Sequence, residues 1–213
     1  MKKFFYTLLL VVAPILVFGG QADTDKLLSD FSKKINGYKS VEIAFTFSNE
    51  QISKQNFTGN VLCAGDKFRL LTDEFEVYSD GRTKWLCSKT TDEIIIQYVS
   101  DDEESSDIIV NPLRFITAYQ KGFTYKQKES FSENGKTFSV IEFTPTDKKV
   151  AYSSILLTLD ENAAELVSVK YTLKDGNRYT IRVTQMTPEV EVFDGYFAFP
   201  KHKFPTAEII DLR

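Results

Sequence analysis

Histidine occurs once, tryptophan once and cysteine twice in 213 residues, and these scarcities exclude much chemistry. A Ser-His-Asp or Cys-His arrangement can be built only around His202, which sits in the cationic stretch Pro200-Lys201-His202-Lys203 and reads as surface. No Gly-x-Ser-x-Gly elbow is present, and neither Cys63 nor Cys87 adjoins a basic residue that would lower its pKa. The metal signatures HExxH and CxxC are missing, as are Gly-rich phosphate loops, so no metal or cofactor is implied. Thirty acidic residues guarantee accidental carboxylate pairs, so a sugar-hydrolysing pair is the lesser reading and the chain is expected not to be an enzyme. Basic clusters are lacking too, which argues against a nucleic-acid partner. Asp101, Asp102, Glu103, Glu104 and Asp107 lack the spacing and central Gly of a calcium loop and read as a solvated loop.

Only one long apolar run exists, and it lies at the N-terminus. Lys2 and Lys3 precede apolar residues 4–18, and small residues follow before Asp23. This is the pattern of a cleaved secretory signal over residues 1–22, shorter than a membrane span of ~20 residues and interrupted by Pro14. Its removal takes away two lysines and lowers the formal charge of −4 by a further two. The rest, 23–213, is long enough for one all-β domain and shows no internal repeat or linker.

What the chain has in plenty is alternation and aromatic surface. Asp23 or Thr24 is expected to cap a helix carrying Leu27, Leu28, Phe31 and Ile35 at helical spacing, with Gly37 as its stop. From Val41 the period becomes two, and the runs 41–48, 57–63, 68–72, 75–79, 83–88, 93–99, 123–128, 137–144, 154–159, 166–173 and 178–186 number eleven. Asp80-Gly81, Asn134-Gly135 and Asp175-Gly176 mark tight hairpins, the first read as a type I′ turn with positive φ at both residues. A second helix is expected at 112–121, with Asn111 as cap, Pro112 at its first position, and Leu113 and Ile116 on one side. Eleven antiparallel strands must curl rather than stay flat, so the expected fold is mainly β with a few helices: an incomplete antiparallel β-barrel with a helical lid over an apolar cavity.

Alternation also names the wall. Val41, Ile43, Phe45 and Phe47 share one strand face, opposed by Glu42, Thr46 and Ser48, and Val61, Val77 and Trp85 extend the same face by the same logic. Ile94 and Ile96 remain open because Ile95 breaks the alternation. Gly59 leaves room beside that face for a bulky neighbour or a ligand. Leu27, Leu28, Phe31, Ile35, Leu113 and Ile116 are the lid residues. In a meander, Cys63 and Cys87 stand three strand spacings apart, roughly 14 Å at about 4.8 Å each, beyond the ~7 Å a disulfide spans, so free thiols are favoured.

The order of motifs Phe57-Thr58-Gly59-Asn60-Val61, Phe68-Arg69, Ser79 through Trp85, Asn111-Pro112-Leu113 and the ending Ala207-Glu208-Ile209-Ile210-Asp211-Leu212-Arg213 resembles the periplasmic outer-membrane lipoprotein carrier (LolA) family. The resemblance implies a half-open barrel whose apolar interior takes the acyl chains of lipoproteins, a monomer handing cargo from an inner-membrane release complex to an outer-membrane acceptor in the periplasm. Relatives on the same scaffold that sense a lipid or carry another lipid supply the alternative. The chain departs from the family at Ala64-Gly65-Asp66-Lys67, where an Arg-Pro pair that latches the lid is absent. Arg69 matches a family position but receives no latch role.

Overall fold

The structure, a computed structural model, describes residues 20–51, 56–99 and 122–213. Helix α1 (Gln21–Gly37) opens earlier than the expected caps: Gly20 is the cap, its carbonyl accepting the amides of Asp23 and Thr24 at 3.0 and 3.2 Å. Asp23 instead occupies the first turn and accepts the Gly20 amide through its carboxylate, at the helix end where negative charge is favoured. Thr24, Leu28, Phe31 and Ile35 form the buried stripe, and Tyr38 at the C-cap turns the chain into extended backbone. No helix among the described residues is long and apolar enough to cross a membrane.

Twelve strands follow in one sheet. They are β1 (Val41–Asn49), β2 (Asn56–Ala64), β3 (Lys67–Thr72), β4 (Phe75–Ser79), β5 (Thr83–Ser88), β6 (Glu93–Tyr98), β7 (Phe123–Glu133), β8 (Lys136–Pro145), β9 (Tyr152–Asp160), β10 (Glu165–Leu173), β11 (Arg178–Pro188) and β12 (Glu208–Asp211). Their spatial order is β12-β6-β5-β4-β3-β2-β1-β11-β10-β9-β8-β7, so two antiparallel meanders meet where β1 pairs with both β2 and β11. The sheet does not close, and the fold is an incomplete barrel with a helix against it, as the alternation predicts.

The twelfth strand is the element that periodicity misses. Residues 208–211 are four long and pair with β6 in parallel, which requires the chain after β11 to travel back across β1 to β5. It does so on the face opposite α1, where Phe199 stacks on Trp85 at 5.7 Å and meets Tyr78 edge-on at 6.0 Å. This segment covers the outer face of strand β6, which removes the polar side of its alternation: Ile94 and Ile96 lie buried beneath the return segment, while half-buried Ile95 pairs with Leu86 on the helix side.

The turns differ in kind. Asn134 and Gly135 take φ of 51° and 76°, the two positive angles of a type I′ hairpin. At Asp80-Gly81 only the glycine is positive, at 91°, and the expected type I′ turn at these two residues gives way to a two-residue loop, Gly81-Arg82, closed by the Asp80 amide donating to the Thr83 carbonyl at 3.3 Å. Asp80 Oδ1 holds it by accepting the amides of Arg82 and Thr83 at 2.8 and 2.7 Å. An aspartate can supply a turn's hydrogen bonds from its side chain, so the Asp-Gly pair does not require both residues to be left-handed. The expected helix at 112–121, the acidic run from Asp101 to Asp107 and the signal segment through residue 19 lie outside the described residues.

Candidate functional site

Cross-strand partners face the same side of a sheet, so the register sorts each side chain. One row runs Ile43, Val61, Leu70, Val77 and Leu86 across β1 to β5. A second runs Phe47, Ile181, Val169, Leu157 and Ile141 across β1 and β11 to β8. With Leu28, Phe31 and Ile35 of α1 these residues form one apolar cluster spanning both meanders. This is the inner face. Phe31, Val61, Val77, Ile141 and Leu157 are almost completely shielded from water.

Near one rim of this face lies a line of rings. Phe47 stacks on Phe57 at 4.5 Å, Phe57 meets Phe75 edge-on at 5.8 Å, Tyr179 lies 5.5 Å from Phe47, and Tyr171 stacks on Tyr179 at 5.2 Å. Phe143, Tyr125, Phe123 and Tyr152 continue it on β7 to β9. Beside it, Phe45 fills the space above Gly59: a Cβ at Gly59 would stand 2.7 Å from Phe45 Cζ and 2.9 Å from the Leu71 carbonyl. The room expected at Gly59 is therefore occupied by a neighbouring ring.

Among the described residues, helix α1 is tied to the sheet by few polar contacts. The Thr24 hydroxyl donates to Gln127 at 3.3 Å, Tyr125 donates to Asp25 at 3.0 Å, and Lys34 donates to the Ala163 carbonyl and pairs with Glu165 at 2.9 and 2.8 Å. Where the helix spans β7 and β8 it leaves a cavity of about 630 Å³, lined on the helix by Thr24 and Leu27 and on the sheet by Gln127, Ser130, Ser139 and Glu161. Glu161 accepts the hydroxyls of Ser130 and Ser139 at 2.9 and 2.6 Å, so its wall is polar where the wall beneath Phe31 is apolar.

Val41, Ile43, Phe45, Phe47, Val61 and Val77 all fall on the inner face, and Leu28, Phe31 and Ile35 oppose them from α1, with Leu27 half-buried at the cavity edge. Leu113 and Ile116 lie outside the described residues. Trp85 is a correction. It pairs with Tyr78, whereas Val77 pairs with Leu86, so Trp85 lies on the outer face and packs against the return segment. Lys84, the polar neighbour that made Trp85 look inward, is itself buried on the inner side, paired with Ser79. Polarity misleads in β5 because both faces are covered. Arg69 also faces outward, its guanidinium 4.9 Å from the Tyr78 ring and 5.1 Å from that of Tyr196, gripping the return segment.

Sequence reasoning passes over the ring line beyond Phe47 and Tyr171 in particular. The visible signal is an aromatic at corresponding ends of successive strands, legible only once the pairing is known. The two cysteines form no disulfide with each other, Cys63 lying on the inner face and Cys87 on the outer. Burial pushes both thiols up to about 12, with the carboxylate of Glu76 adding to the effect at Cys87. Among the described residues no group of three or more His, Cys, Asp or Glu is placed to hold a metal ion.

No curated protein matches the sequence. Among solved structures, an uncharacterized conserved protein from Thermus thermophilus superposes with a TM-score of 0.57 at 8% identity, over 88% of this chain and 99% of the other. MucB superposes at 0.52 and 17% identity, over 84% of this chain and 64% of its own. A putative outer membrane lipoprotein-sorting protein domain from Vibrio parahaemolyticus gives 0.48 at 11% identity, over 84% and 97%. The first two share the fold. The family model described as outer membrane lipoprotein carrier protein LolA matches residues 16–176, which takes in α1 and strands β1 to β10 but leaves out β11 and the C-terminal ending. By that match, the chain belongs to the LolA family of outer membrane lipoprotein carrier proteins.

Proposed function

We propose that the protein is a periplasmic carrier that shields the acyl chains of a lipoprotein between α1 and the inner face of its sheet, and moves them from an inner-membrane release complex to an outer-membrane acceptor. The observation that carries this reading is the continuous apolar inner face under a helix with few polar ties. Magnitudes support exchange. Burying Leu28, Phe31 and Ile35 is worth about 1.5–3 kcal/mol each, together of the same order as the roughly 10 kcal/mol gained when a long acyl chain leaves water. A chain of that length can displace the helix stripe with a small net gain, which is what binding followed by release requires.

Solvent exclusion needs no reacting group, and the two buried thiols, poor nucleophiles at neutral pH, agree with a binding role. The expected test is mass spectrometry of what copurifies from the periplasm of cells producing the full chain: diacyl or triacyl lipoproteins support carriage, a single free lipid class supports a sensor or another lipid carrier, and no lipid at all overturns the proposal. Phe31→Asp should strip the cargo while the β spectrum persists.

A further inference from the structure

The Tyr171 hydroxyl is an anomaly in the apolar cluster. The residue is 2% exposed, and its oxygen neither donates nor accepts a hydrogen bond. Leaving such a group unpaired costs roughly 1–3 kcal/mol, whereas phenylalanine would fill a ring-stacked strand position without that cost. Buried polar side chains are nearly always partnered, so an orphan calls for a partner that comes and goes. Its place in the fold says what kind. Tyr171 pairs with Ile155 on one side and Tyr179 on the other, stacks on the Tyr179 ring, and belongs to the cluster that α1 covers. Burial, reinforced by nearby Tyr179, holds its phenol far above the ordinary tyrosine range, so it remains an O–H donor.

We propose that Tyr171 is the polar anchor of the acyl site, its hydroxyl donating to the carbonyl oxygen of a bound acyl group once α1 has lifted. This rests on the carrier reading and sharpens it, because a carbonyl is a neutral acceptor. A carboxylate or phosphate at the same point would bring a charge among Ile155, Tyr179 and Phe47 at a cost the site does not offset. Ester-linked and amide-linked acyl chains both carry that carbonyl, and a dialkyl ether of equal length does not.

The test measures binding of three probes to the full chain and to Tyr171→Phe and Tyr179→Phe: a diacyl ester lipid, an N-acyl amide and the matched dialkyl ether. The wild type is expected to prefer the carbonyl-bearing probes to the ether by about three- to tenfold, the range of one neutral hydrogen bond. Tyr171→Phe should lose that preference while binding the ether as before and unfolding at an equal or higher temperature, since the orphan oxygen is gone. Tyr179→Phe should keep the preference. A wild type that binds ester, amide and ether equally, or a preference that survives in Tyr171→Phe, overturns the anchor and leaves the carrier reading standing. Failure of every probe to bind overturns both. The ratio of ester to amide affinity identifies the linkage the site favours.

Discussion

At Gly59 the space left by a missing Cβ is taken by the Phe45 ring, with the Leu71 carbonyl on the other side. Phe45 can swing but the backbone carbonyl cannot, so Gly59→Ala should destabilise by about 1–3 kcal/mol, measured as a lower urea midpoint with an unchanged slope. Asp160 makes a different kind of prediction. It is buried at the β9–β10 turn, where desolvation works against its charge but is outweighed by the amides of Ala163 and Asn162 and by Lys136, so its pKa is lowered. A carboxyl depressed in the folded state contributes stability that is present above its unfolded pKa of about 3.9 and is lost as pH falls through the folded value. Asp160→Asn should therefore cost about 1–2 kcal/mol at pH 7, and the penalty should shrink progressively as the pH falls below the unfolded carboxyl value of about 3.9 when urea midpoints are compared along an acid series. A penalty independent of pH would assign Asp160 a purely steric role.

The return segment, residues 189–207, and β12 act together as one element. Trp85 and Tyr78 meet Phe199, Phe199 stacks on Phe204, Arg69 bridges Tyr78 and Tyr196, and β12 then seals the edge of β6. Because the only tryptophan reports on this outer layer, its emission should stay unchanged when an acyl probe enters the inner face, and should shift to the red when residues 189–213 are removed. A cargo-dependent shift would mean that the two faces communicate. Helix α1 behaves in the opposite sense. Its stripe is buried but its polar ties are few, so Phe31→Asp is expected to act on cargo retention before it acts on the sheet.

For the molecule as a whole, the topology makes β1 the junction of two meanders and leaves β7 and β12 as the edges of the sheet. Edge strand β7 carries a bulge between Gln127 and Glu129 and pairs Lys126 and Lys128 with Glu142, features that oppose further strand pairing. The two thiols, on opposite faces and both buried, should resist a thiol reagent in the folded protein and react only on unfolding, with the same melting temperature in reductant and in air.

Helical spacing by itself determined the amphipathic stripe of α1, and period-two alternation determined eleven strands and most of the inner wall, because in β1 one face is apolar and the other polar and only one arrangement buries the first. It failed where that contrast vanishes. In β5 and β6 a second layer covers the outer face, so Trp85 and the three isoleucines carry no mark of direction until the pairings Val77 with Leu86 and Tyr78 with Trp85 assign it. The four residues of β12 are too short to show a period and are a strand only because β6 offers them an edge. Tyr171 reads in the chain as one more aromatic. Only the tertiary structure, by burying its hydroxyl with no hydrogen-bond partner in reach, decided that it is an unpaired donor.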